Sequence, residues 1–190
     1  HHVIPPLRWG PDGLMYFHQS YYIASHIETQ FGVRRMNGGG IWQFDTQTGR
    51  LEPYIHGLVN SWGHRFNRYG ASFATDGAGS EGINYIFPGA MMLASPHSVR
   101  VLRGLNPGMP KNAGLEILSG RGIPDAWQGR MISADFRANR INSYEISEDG
   151  SGYASVKKED LIQSTHVSFR PIDMMLGPDG AIYVADWYSP

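Results

Sequence analysis

Leu7-Arg-Trp-Gly-Pro-Asp-Gly-Leu-Met-Tyr-Phe17 and Met174-Met-Leu-Gly-Pro-Asp-Gly-Ala-Ile-Tyr-Val184 share one pattern, an apolar run, then Gly-Pro-Asp-Gly, then a second apolar run. Pro fixes φ at the first central position of a type I turn, and Asp bonds its own backbone at the next. Gly then accepts φ > 0 before the chain returns antiparallel. Each copy therefore predicts strand, tight turn, strand. Trp62 to Thr75 reads as a degenerate third copy.

Working outward, Ile41 to Phe44 and Leu51 to Ile55 flank the turn Asp45-Thr-Gln-Thr-Gly49. Ile141 to Ile146 and the run from Tyr153 flank Ser147-Glu-Asp-Gly150. Strands near 6–9, 14–18, 40–44 and 51–56 make one four-stranded blade in about fifty residues, a spacing found in propeller repeats. The expected fold class is all-β, a partial β-propeller of about three to four four-stranded blades. Approximate blade bounds are 1–60, 61–114, 115–163 and an incomplete 164–190, with the remaining blades expected outside this chain. Residues 77–114, rich in Gly, Pro and Met, read as a long loop with short helical or strand pieces, the kind of segment that carries function. The only other helices expected are short, around Tyr21 to Thr29 and Lys158 to Gln163.

Over 190 residues, 41% hydrophobic and 12% aromatic content suffices for a buried core. Lys+Arg 16 against Asp+Glu 17 leaves a net charge of -1, which offers no argument for nucleic acid or an anionic membrane as partner, and no nucleic acid is expected. The absence of cysteine excludes disulfides, thiolate metal sites and a Cys nucleophile. No apolar run approaches the length of a membrane-spanning helix. The start at His1-His2, with neither an initiating Met nor an apolar signal core, reads as mid-protein or post-processing. Glycine at 24 and proline at 12 suit many short strands joined by tight turns.

Four stretches, His2 to Tyr16, Gly57 to Pro88, Ile123 to Ile146 and Arg170 to Asp186, resemble in order the six-bladed propeller of soluble quinoprotein sugar dehydrogenases and their sorbosone-dehydrogenase-like relatives. The closest likeness is to membrane-bound dehydrogenases of planctomycete-type bacteria, in which the propeller is often joined to a haem-binding domain. The resemblance implies a general base at His2, with adjacent His1 a second choice. Imidazole can take an alcohol proton near neutral pH. It also implies a catalytic role for Asn60, although Val59 stands where the family carries Arg. Asn60 lies in Val59-Asn-Ser-Trp-Gly63, and nearby His56, His64 and Arg65 are alternative sources of positive charge.

Thr75 to Pro88 resembles the family's calcium loop, implying carbonyl ligands at Gly77 and Ala78 and a carboxylate at Glu81, hard oxygens suited to Ca²⁺. Arg137 and Arg170 match basic positions that hold the carboxylates of pyrroloquinoline quinone, while the family's second Arg falls on Ile172. The implied function is oxidation of a sugar or other polyol by hydride transfer to that quinone. Electrons would pass to an acceptor such as a cytochrome c domain, haem belonging only to a fused domain outside this chain. The implied location is periplasmic or cell-envelope associated. The alternative, favoured by Val59 and Ile172, is a non-catalytic propeller that binds a glycan or protein partner. Trp42, Trp62, Trp127 and Trp187 suit sugar stacking or core packing alike. No Gly-x-Ser-x-Gly elbow or His-Glu-x-x-His motif points to a hydrolase.

Overall fold

The two Gly-Pro-Asp-Gly turns form as their chemistry dictates. Gly13 and Gly180 adopt φ of 79° and 81°. Each donates its N–H to the carbonyl of the first glycine, at 3.1 and 3.0 Å. Asp12 Oδ1 accepts the Leu14 N–H at 3.1 Å, and Asp179 Oδ1 accepts that of Ala181 at 3.1 Å. The structure, a computed structural model, describes residues 7–78, 81–95, 97–108 and 111–188.

These turns join the first strands of two sheets in an all-β partial propeller. β1 (Arg8–Trp9) and β2 (Met15–Gln19) precede a separate hairpin, β3 (Ala24–Thr29) with β4 (Gly32–Asn37). β5 (Gly40–Phe44) and β6 (Leu51–His56) then complete the first sheet in the order β1-β2-β5-β6. The second sheet is β7 (Ser61–Phe66), β8 (Ser72–Asp76) and β9 (Gly82–Ile86). The third runs β10 (Asn112–Ile117), β11 (Met131–Asp135), β12 (Arg140–Asp149) and β13 (Gly152–Lys157), with β14 (Ile162–Gln163) also on β12. β15 (Pro171–Leu176) and β16 (Ile182–Asp186) form the fourth. All pairings among these strands are antiparallel.

The core lies where sheet faces sheet, which is how propeller blades exclude water. Tyr16, Ile41, Ile55, Ala74, Ile86 and Met92 pack between the first and second sheets. Phe73, Ile83, Leu115, Met131 and Tyr144 join the second and third, and Ile132, Ala134, Ile141 and Met174 the third and fourth.

The first strands of the sheets stand side by side. A β-carbon on Gly63 would meet Leu115, and one on Gly114 would meet Asp173. Further along, Arg65 pairs through two nitrogens with Glu116, at 2.8 and 2.9 Å, and Glu116 accepts the Leu176 N–H at 3.1 Å. Residue numbers rise together across both contacts, so β7, β10 and β15 run in the same direction. Arg8 of β1 reaches the same group of strands through Asp173, at 2.6 Å.

Two expected helices are strands or extended chain instead. Over Tyr21 to Thr29 the chain forms β3, whose residues alternate between exposed and half-buried. It folds back on β4 at Gly32, φ 95°. Gln19 ties this hairpin down. Its amide donates to the carbonyls of Ile23, Met36 and Gly38, and its Oε1 accepts from Ser25 and Trp42. Over Lys158 to Gln163, the N–H groups of Lys158 and Leu161 go to Ser143 and Ile141 on β12 rather than to a helical ladder. One turn of 3-10 helix, Asp125–Trp127, is the helical element among the described residues. The long loop with short helical or strand pieces expected over 77–114 contains one such strand, β9, paired throughout with β8.

Candidate functional site

In an antiparallel sheet the start of the first strand, the end of the second and the start of the third lie at one end. Asn60 immediately precedes β7 and Arg170 immediately precedes β15. Gly77, Ala78 and Glu81 belong to the β8–β9 connection, and Arg137 to the β11–β12 turn. All six therefore sit at the same end of their sheets, opposite the Gly-Pro-Asp-Gly turns. His2 and His1 lie outside the described residues.

Asp76, fully buried, organises this end. Its Oδ2 accepts the Val59 N–H at 2.9 Å, and its Oδ1 accepts those of Asn60 at 2.8 Å and Ala78 at 3.3 Å. The Arg100 guanidinium stands 3.6 Å away and also donates to the Leu102 carbonyl and to Asn84 Oδ1. A buried carboxylate is tolerable only with donors and a countercharge, and Asp76 has both. It fixes Asn60 and the Gly77-Ala78 turn relative to each other. Gly77 adds to this by donating its N–H to the Asn60 carbonyl at 2.8 Å.

Gly77 is required by close approach. A β-carbon there would lie 2.9 Å from the Asn112 carbonyl oxygen, 3.1 Å from Asn60 Nδ2 and 3.3 Å from Trp62 Cδ1. At the other end of the loop Gly82 adopts φ 66°, where a β-carbon would lie 2.6 Å from Asn106 Cβ and 3.0 Å from Asn112 Nδ2. Glu81 is tied to the following segment, its Oε2 accepting the Gly104 N–H at 2.9 Å and its carbonyl that of Asn106 at 3.2 Å. Asn112, against which Gly77 and Gly82 both lie, is 1% exposed, and among the described residues neither its Oδ1 nor its Nδ2 has a hydrogen-bond partner.

Arg170 meets an aromatic ring of the turn that carries Arg137. The Arg170 guanidinium carbon lies 5.2 Å from the Phe136 ring centroid, and Phe136 meets Trp187 edge-on, 6.4 Å between centroids at 86°. Arg170 donates its N–H to Asp186 Oδ1 at 2.6 Å and accepts the Trp187 N–H on its carbonyl at 2.9 Å. Arg137 follows Phe136 and is exposed. Two guanidinium-bearing loops beside an aromatic face fit a planar polycarboxylate.

The loop after Asp76 fits a metal less fully. Among the described residues no three His, Asp or Glu side chains gather as a metal-binding group. A cation there would rest on backbone carbonyls and on the Asn112 amide oxygen. Sequence reasoning missed Arg100 and Asn112 as participants, because their relations join residues far apart in the chain.

Two buried imidazoles lie behind Asn60. His18 Nδ1 bonds the Ser61 hydroxyl, and His64 Nε2 meets Ser72 Oγ at 2.6 Å. Burial, with Arg8 nearby, pushes His18 down to about 3. Burial, with His18 and two guanidinium groups nearby, holds His64 well below its ordinary value. Neither is poised as a base at neutral pH. A cavity of about 520 Å³, lined by Arg8, Gly10, Pro11, Arg65, Asn67 and Glu116 among others, opens at the opposite, turn end.

No curated protein matches the chain. Solved structures do. A glucose dehydrogenase aligns at 18% identity over 94% of this chain and 59% of its own, TM-score 0.67. The pyrroloquinoline-quinone-bound aldose sugar dehydrogenase of Streptomyces coelicolor aligns at 16% identity over 90% and 52%, TM-score 0.60. The soluble aldose sugar dehydrogenase of Escherichia coli, in its apo form, aligns at 15% identity over 94% and 59%, TM-score 0.62. These likenesses establish a shared propeller fold, and this chain spans no more than 59% of the length of any of the three. The sequence family described as a domain of unknown function (DUF7133) matches residues 1–108 and 106–190, end to end, and the chain belongs to it.

Proposed function

We propose that this chain forms part of a quinoprotein-type oxidoreductase that oxidises a sugar or other polyol by hydride transfer to a pyrroloquinoline-quinone-like cofactor. The observation that carries the reading is the gathering of Asn60, Gly77, Arg137 and Arg170 at one end of parallel first strands, with Asn60 against Gly77. When bound, such a quinone supplies a two-electron acceptor for hydride from an alcohol carbon. Arg137 and Arg170 would hold its carboxylates, and Gly77, Ala78 and Glu81 would supply oxygens to a Ca²⁺. His2 takes the hydroxyl proton, and Asn60, fixed through Asp76, orients the reacting oxygen. The electrons leave to an acceptor such as a cytochrome c domain, in a periplasmic or cell-envelope setting.

A second reading rests on specific residues. Val59 and Ile172 stand where two further guanidinium groups are expected, and one Glu81 oxygen accepts the Gly104 N–H. These favour a non-catalytic propeller that binds a glycan or protein partner. The deciding experiment adds pyrroloquinoline quinone and Ca²⁺ to the full-length protein and follows dye reduction over a panel of sugars and polyols. Sugar-dependent reduction, lost in Arg170→Met, supports the dehydrogenase. Failure to take up the quinone rejects it, and glycan binding without quinone uptake then supports the second reading.

A further inference from the structure

Tight turns are built mostly from Gly, Pro, Asn, Asp and Ser, whose backbones or short side chains suit the reversal. The turn that follows β2 breaks this rule. Its central residues are Tyr21 and Tyr22, and the Ile23 N–H closes it on the Ser20 carbonyl at 3.1 Å. Tyr22 is 77% exposed. A ring so exposed gains little from burial, so its place at the tip of a turn has another cause. A second broken rule touches the first. His97 holds φ at 67°, a left-handed conformation that is costly for a residue with a β-carbon and that collects at ligand sites. Its N–H donates to the Tyr21 hydroxyl at 2.5 Å, and its ring meets Tyr21 edge-on, 5.7 Å between centroids at 90°. Tyr21 meets Tyr22 edge-on as well, at 5.3 Å and 88°. Tyr21 thereby orients two exposed rings, those of Tyr22 and His97.

The cluster is held firmly and borders the candidate site. The Gln19 amide donates to the Ile23, Met36 and Gly38 carbonyls at the root of the turn, and the Gly38 N–H bonds the Ile23 carbonyl. β2 passes β7 where His18 bonds Ser61. Tyr22, four residues beyond His18, and Asn60, beside Ser61, therefore leave their sheets at the same end. At about 3.3 Å of rise per residue they stand on the order of 10 Å apart. From the other side Arg100, three residues after His97, lies 3.6 Å from Asp76, the residue that fixes Asn60. A sugar ring offers C–H groups on its faces and hydroxyls around its rim. An exposed tyrosine face suits the first, and a neutral imidazole, with one donor and one acceptor nitrogen, suits the second. The separation from Asn60 is wider than a single sugar ring.

We propose that Tyr22 and His97, oriented by Tyr21, form an outer subsite that binds a further ring of an oligosaccharide whose end lies at Asn60. The proposal rests on the reading that a sugar occupies the Asn60 site, and it holds with or without quinone chemistry. Calorimetry on the full-length protein without quinone, using glucose, maltotriose and cellotriose, reads the subsite. Affinity should rise about tenfold from glucose to the better trisaccharide. Tyr22→Ala should abolish that rise, leave glucose binding unchanged and keep the wild-type melting midpoint, because the ring stands in water. Tyr22→Trp should restore the rise. His97→Gly suits the left-handed backbone, so it should melt no lower than wild type while losing about threefold in trisaccharide affinity.

A trisaccharide affinity equal to that of glucose, or a rise that survives Tyr22→Ala, overturns the subsite. So does a lowered midpoint in Tyr22→Ala, which means that the ring is covered in the whole protein. Trisaccharide preference without sugar-dependent dye reduction keeps the subsite and rejects the dehydrogenase alone. Absence of all sugar binding rejects both.

Discussion

The two Gly-Pro-Asp-Gly hairpins are the same object in different surroundings. In each, the Asp accepts an N–H two residues on and also a tyrosine hydroxyl four residues on, Tyr16 to Asp12 at 2.6 Å and Tyr183 to Asp179 at 2.9 Å. Yet Tyr16 is 2% exposed and Tyr183 59%. Tyr16 lies edge-on to Tyr54, His64 and Phe66 between two sheets. Turn geometry is thus set within a dozen residues, whereas the weight a turn carries in the fold is set by the sheet packed against it.

The comparison can be broken hardest at the tyrosines. Tyr16→Ala should cost about 3–5 kcal/mol in urea unfolding, as removal of a large buried ring does, and Tyr183→Ala under about 1 kcal/mol. Equal losses would mean that the two turns carry equal load. Next comes acid. His18 and His64, behind Tyr16, are neutral when folded and titrate near 6.5 when unfolded, so protons bind the unfolded state first. Their contribution is intact above pH 6.5 and falls below it, by up to about 1.4 kcal/mol per pH unit for each ring. Denaturation midpoints between pH 7 and 5 should show this slope, and His64→Gln should halve it.

At the aspartates the contrast narrows. Asp12→Ala strands a buried hydroxyl and should cost about 2 kcal/mol, against about 1 kcal/mol for Asp179→Ala. Thermal melts of the two variants compare them directly. Smallest is Tyr183→Phe, expected within about 0.5 kcal/mol of wild type because the ring is largely in water. A larger loss in the full-length protein would show that other parts of the chain cover it.

What the sequence disclosed follows the same division. Turns whose chemistry is local, at 10–13, 45–49 and 177–180, were legible, and with them the strands on either side and the all-β fold, whereas the turn expected at 147–150 falls later, β12 running on through Asp149 and reversing at Gly150-Ser151. The β3–β4 hairpin was not, because its anchor is Gln19, whose amide reaches three carbonyls that no pattern in 21–29 announces. Strand β9 was hidden inside a glycine-rich stretch, although Gly-Ile-Asn-Tyr-Ile alternates once its pairing with β8 is known. Asn60, Gly77, Arg137 and Arg170 were nominated by resemblance. The Asp76–Arg100 contact that holds the site spans 24 positions, and the isolation of the Asn112 amide is a property of space that one-dimensional order does not express.

The contact between Arg8 and Asp173 joins positions 165 residues apart. Closing so long a span of chain is entropically slow, so this ion pair should form late, after the local hairpins have condensed. An interaction made after the transition state leaves the folding rate nearly unchanged and acts on the reverse step. Its role is to delay opening: Arg8→Met should hasten unfolding in a denaturant jump while refolding proceeds at its former pace, making this strand-to-strand link a brake on the exposure of β-edges prone to aggregation.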